Sequence, residues 1–169
     1  MTLILQRLHC VVTGIEPNEV LDEQSLIMGA IIDPYDGLLD QSDFPTALRF
    51  SRDLFKVFDK DYDVSNSVNA ENNDDERAFY GFLRVLQDKI PPETYPSFWR
   101  TLKDLHFVQT LSLLQRKEAR QQKAFNLSPE ELARITRIKG GLNAILFVSL
   151  INPSLADTVE KVTMPQDYT

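Results

Sequence analysis

What most constrains this chain is the spacing of its apolar residues and the points at which that spacing is cut. Phe79, Phe82, Leu83 and Leu86 recur at helical intervals over 77–90, and Pro91-Pro92 ends the run. The same period predicts a helix over Glu19–Ile32, interrupted or restarted at Asp33-Pro34. It predicts another over Phe44–Phe58, carried by Leu48, Leu54, Phe55 and Phe58, and a long one from Phe98 to about Gln122. Ser128-Pro129-Glu130-Glu131 opens the last helix with a capping-box serine and glutamate and a proline at the first helical position; Asn152-Pro153 stops it. Asp59–Asp75, rich in Asp, Asn and Ser, reads as a mobile surface loop. Alternating strand patterns, Asn-Gly hairpin signals, repeats and domain linkers are missing from the sequence. The expectation is one all-α domain over 1–169, a helical bundle. A chain of 169 residues can bury about two-thirds of its unfolded surface in such a core.

The formal net charge is −7, which disfavours a generic nucleic-acid binder, since such proteins work by neutralising phosphates. The charge is uneven: −3 over residues 1–32, −8 over 33–76 and +4 over 77–169. These are either solvated faces or two walls of one site, an acidic wall for cations and a basic wall for an anion. The single cysteine, Cys10, excludes an internal disulfide framework and a multi-cysteine metal site, and reads as a small core residue. The longest apolar run, Ala144–Ile151, is broken by Ser149 and too short to span a bilayer. Met1–Leu5 lacks the basic start and long apolar stretch of a signal peptide. A soluble, cytoplasmic protein is expected.

Three constellations carry chemistry. The first is acidic: at about 100° per residue, Asp33, Asp36, Asp40 and Asp43 fall within an arc of about 80° on one helical face. Aligned carboxylates suit a hard cation such as Mg²⁺, which completes its shell with water and substrate phosphate. The plainer alternative is a helix start, with Asp33 capping and Asp36 favouring the N-terminal dipole.

The second lies on the last helix, where Lys139 falls inside the stripe of Ile135, Ile138, Leu142 and Leu146 while Arg137 points away. An inward lysine snorkels, pairs with an acid or meets a bound anion. Gly140 and Gly141 each cost about 1 kcal/mol in a helix interior, which suggests close backbone approach or a helix break. The third is the stripe Phe98, Leu102 and Leu105, which continues at the same angle into Gln109, Ser112 and Arg116. It suggests either a wet cavity or a helix end emerging into solvent, with Phe107, Leu111 and Leu114 carrying the packing.

Other signals are weaker. Asp59-x-Asp61-x-Asp63-x-Ser65 imitates an EF-hand start, but Val64 stands where glycine is needed and Ala70 where the bidentate glutamate belongs. His9 and His106 are isolated from any metal spacing or nucleophile motif. Trp99 reads as packing.

In order along the chain, these features resemble the class I isoprenoid (terpene and polyprenyl diphosphate) synthase family. Its D-D-x-x-D helix is matched by Asp36-Gly37-Leu38-Leu39-Asp40, with glycine replacing the second aspartate and Asp33 one turn earlier. The approach from Leu26 to Asp36 is similar to that of bacterial members. The resemblance implies Asp36, Asp40 and Asp33 as Mg²⁺ ligands. It also implies Gln109, Ser112 and Arg116 as substrate-facing residues, and Lys139 as the residue that contacts and neutralises the departing diphosphate. Ionisation would give an allylic carbocation sheltered in an apolar cavity. The resemblance runs from about Leu8 to Pro153 and lacks the family's second metal motif, since Asp157, Glu160 and Asp167 do not form it. On that reading the chain is a fragment, a truncated product or a derivative without catalysis, and its uncovered apolar helix faces self-associate.

The competing expectation is a non-catalytic all-α protein–protein interaction module. The two differ on one observation: the first requires Asp36, Asp40 and Lys139 to face one cavity, and the second leaves the acids on the outer surface.

Overall fold

Asn18 starts the first helix. Its Oδ1 accepts the Leu21 N–H at 3.0 Å, and α1 then runs from Glu19 to Asp40. The computed structural model describes residues 7, 10, 11, 14–16, 18–59, 62, 64, 72–121 and 127–151. His9, the EF-hand-like positions 61, 63, 65 and 70, the Asn152-Pro153 stop and the acids Asp157, Glu160 and Asp167 lie outside these.

The helix does not break at Asp33-Pro34, contrary to the sequence reading. Pro34 forfeits a backbone bond and costs about 3 kcal/mol. The flanking turns bury Met28, Ile31, Leu38 and Leu39, each worth about 1.5–3 kcal/mol, so burial carries the helix through. Asp33 is therefore an exposed mid-helix residue rather than a cap. The cap belongs to Asp43, whose carboxylate accepts the Thr46 N–H at 2.9 Å and the Thr46 hydroxyl at 2.8 Å. Those bonds hold its pKa below the ordinary value and open α2 (Phe44–Leu54), so Asp43 leaves the acidic face of α1.

A 3₁₀ turn, Phe55–Phe58, follows α2. Helix α3 runs Asp74–Lys89, starting three residues before the expected point because Asn73 and Glu76 form a reciprocal capping box. It buries Phe79, Leu83 and Leu86 as the period requires, while Phe82 is exposed. Trp99 closes the Pro91-Pro92 turn by donating its indole N–H to the Ile90 carbonyl at 2.6 Å.

The expected single helix over 98–122 is divided. Helix α4 (Pro96–Ser112) passes into a 3₁₀ turn, Leu113–Gln115, Arg116 is extended, and α5 occupies Lys117–Gln121. Helix α6 runs Pro129–Ile151 behind the expected box, with Ser128 Oγ accepting the Glu131 N–H at 3.2 Å and Glu131 accepting the Ser128 N–H at 2.6 Å. The helix is unbroken at Gly140 and Gly141, and a Cβ on Gly140 would meet nothing within 4 Å. Close approach is therefore not what places glycine at Gly140.

Among the described residues the architecture is all-helical. Gln24 of α1 bonds the Lys89 carbonyl and the Tyr95 hydroxyl, whereas Tyr35 meets Phe79 and His106. Helix α1 is thus antiparallel to α3 and parallel to α4. Helix α6 lies along α4, and α2 bridges α1 and α4. Phe50 sits at the centre, with its ring centroid 5.1 Å from that of Phe79. Cys10 is buried in a satellite cluster with Leu21 and Ile151. No described helix is long and apolar enough to cross a membrane.

Candidate functional site

Three helices bring Asp36 of α1, Gln109 of α4 and Lys139 of α6 to one place. Asp36 is half-buried, and its Oδ1 accepts from Gln109 Nε2 at 3.4 Å. Burial raises the Asp36 pKa, Asp40 and Asp33 push it up further, and the nearby Lys139 ammonium pulls it back. Gln109 is buried, and Ser112 Oγ donates to its backbone carbonyl at 2.6 Å and to its Oε1 at 3.3 Å. The polar end of the α4 stripe is therefore an interior feature at Gln109, not a helix end in solvent. Lys139 is half-buried between Ile138 and Leu142, and among the described residues no ion pair or hydrogen bond engages its ammonium.

Asp33 and Asp40 are exposed on the same helix, on the outer surface where the interaction-module reading places the acids, and of the three only Asp36 turns partly inward. Among the described residues no group of three or more metal-ligating side chains converges. The glycine at Gly37 leaves open space, since a Cβ there would meet nothing within 4 Å. Arg116 is engaged elsewhere: it donates to the Leu39 carbonyl at 3.1 Å and the Ser42 carbonyl at 2.7 Å, at the end of α1.

One helical turn from this cluster lies an apolar cavity of about 60 Å³, between Met28, Ile31, Leu83, Leu86, Phe98 and Leu146. Its polar corner was not legible as a site in the sequence. His106 Nε2 lies 2.8 Å from the Ser51 carbonyl, which only accepts, so Nε2 carries the proton. Nδ1 then accepts the Tyr35 hydroxyl at 2.8 Å. The one available signal was that His106 falls beside Leu102 and Leu105 on the inward arc of α4. A wider cleft of about 800 Å³ lies at the other end of α4, around Phe58, Tyr62 and Trp99. Its walls carry both signs of charge, and of the positions singled out in the sequence for metal or ligand binding only Asp59, the first of the EF-hand-like run, lines it among the described residues.

An ionised Asp36 held half-buried works against folding. Its folded-state pKa is raised, so the penalty grows as pH rises through the ordinary carboxylate range and persists at neutrality. Asp36→Asn keeps an acceptor for Gln109 and removes the charge. It is expected to stabilise the protein by a few tenths of a kcal/mol, discounted for partial exposure. Thermal melts at pH 7 check this; a destabilised variant would show that the carboxylate serves the fold.

Comparison with known proteins found no matching family model, no matching curated protein and no matching solved structure.

Proposed function

We propose that this chain binds the diphosphate of a prenyl diphosphate with Mg²⁺, as an isoprenoid-synthase-like protein or a degenerate relative of one. The observation that carries this reading is Lys139: a half-buried cation without an ion pair among the described residues, facing the Asp36–Gln109 pair from another helix. The Asp36 carboxylate is near enough to feel this charge but does not bond it, so a bound anion would supply the direct partner the ammonium lacks.

Asp36 and Asp40, one turn apart, form an oxygen-donor pair of the kind Mg²⁺ accepts when water and phosphate supply the rest of its shell. Asp33, one turn earlier, adds negative potential. When bound, Mg²⁺ would neutralise diphosphate charge and orient the head group. Lys139 supplies the opposing positive charge, Gln109 Nε2 orients Asp36, and Ser112 holds the Gln109 amide in place. The cavity volume of about 60 Å³ is under half the roughly 150 Å³ that takes a benzene ring. A prenyl tail therefore enters only if lining side chains move, and recognition rests on the head group.

Titration calorimetry with Mg²⁺ and a five-carbon allylic diphosphate is expected to show Mg²⁺-dependent binding. Lys139→Ala and Asp36→Asn should each weaken it at least about tenfold. Pyrophosphate release would mark a working enzyme, and binding without release a degenerate one. No binding by the wild type would sink the reading. It would leave the interaction-module alternative, which is favoured by the half-exposed Phe107 on an apolar groove with Leu111, Ile135 and Ile138.

A further inference from the structure

Helix α1 ends badly for a helix that carries carboxylates. Asp36 and Asp40 occupy its last two turns, where the aligned carbonyls already concentrate negative charge, and its last turn contains no basic residue. The missing cation comes from 76 positions beyond Asp40. Arg116 sits at the corner between α4 and α5, where the backbone leaves the helix (φ −64°, ψ 146°), and its guanidinium reaches two carbonyls at the end of α1. One nitrogen donates to Leu39 at 3.1 Å and the other to Ser42 at 2.7 Å. The group also lies over the Phe44 ring, 5.9 Å from its centroid, and is only 19% exposed. Its neighbour Glu118 is 3.6 Å away.

The location matters more than the bonds themselves. Arg116 lies seven residues beyond Gln109, so the clamp ties the carboxylate-bearing end of α1 to the helix that supplies the amide facing Asp36. Toward this end of α1, among the described residues, the helices are otherwise joined by the Tyr35–His106 bond and the long Gln109–Asp36 contact of 3.4 Å. We propose that Arg116 is a positioning residue: it fixes the end of α1, and so sets where Asp36 and Asp40 stand relative to Gln109 and Lys139. Its effect on ligand binding rests on the diphosphate reading; its effect on the end of α1 does not. Lysine in its place keeps the charge but not the two-pronged grip on separate carbonyls.

The test compares wild type, Arg116→Ala and Arg116→Lys by amide hydrogen exchange and by calorimetry with Mg²⁺ and inorganic diphosphate. In Arg116→Ala, exchange over residues 37–46 is expected to accelerate at least about tenfold while α6 is unchanged. Affinity for Mg²⁺-diphosphate should fall about tenfold. Arg116→Lys should recover part of both, and millimolar guanidinium should restore affinity to Arg116→Ala, which a general loss of stability would not allow. Unchanged exchange over 37–46 overturns the proposal. So does faster exchange with unaltered affinity in a protein whose wild type binds. If wild type does not bind Mg²⁺-diphosphate, the diphosphate reading fails, and the exchange data alone decide for or against the clamp.

Discussion

Glu76→Ala is expected to cost about 4–6 kcal/mol of folding stability. Glu76 is fully buried at the third position of α3 and does two things there. One carboxylate oxygen takes the Arg49 guanidinium from α2, and the other takes the Asn73 N–H at 3.2 Å. Truncation leaves Arg49, itself only 30% exposed, without its counter-charge. Breaking a buried pair from one side costs about 3–5 kcal/mol, and loss of a cap adds about 1. Urea denaturation at pH 7 measures the sum. The double variant Arg49→Met, Glu76→Leu separates the causes. It removes both charges and should recover most of the loss, because two well-packed apolar groups replace an ion pair at little net cost. A single variant within about 1 kcal/mol of wild type would show that the pair contributes nothing beyond a surface contact.

The second large effect is acid sensitivity at His106. Burial against the Phe55 ring, 4.5 Å away between centroids, and the Phe58 ring lowers its pKa from 6.5 to about 4, although the Ser51 carbonyl partly offsets this. The folded protein therefore refuses a proton that the unfolded chain accepts between those values. Stability from this group is full above pH 6.5 and falls as pH drops toward 4, by about 3 kcal/mol. His106→Gln removes the titration. Its stability difference from wild type should narrow, or reverse, by that amount between pH 7 and pH 4, with the other groups titrating alike in both. A constant difference across that range would place His106 in contact with water and refute the buried neutral network.

These two predictions rest on residues that the sequence treated very differently. Glu76 falls between the polar loop that ends at Asp75 and the helix read from 77, because Asn73-Asp74-Asp75 reads as loop composition and the partner that buries Glu76 is 27 residues away. His106 was isolated by motif, since its two partners, Ser51 and Tyr35, lie 55 and 71 residues upstream. By contrast Ser128 and Glu131 were legible as a reciprocal cap, because both halves of that device lie within four residues. Lys139 and Gln109 were legible as polar residues on inward faces for the same reason: the helical period is a local property.

The sequence by itself determined the all-helical architecture among the described residues, most helix positions, the α6 cap and the inward face of α4. Each follows from spacing within one or two turns. Only the tertiary structure decided that α1 runs through Pro34, that Asp43 caps α2 instead of joining the acidic face, and that Arg116 clamps the end of α1. It also decided that Asp36, Gln109 and Lys139 converge from three helices. Those outcomes depend on which helices lie parallel and how deeply their faces are buried. Burial energies of several kcal/mol per turn override local preferences of about 1–3 kcal/mol.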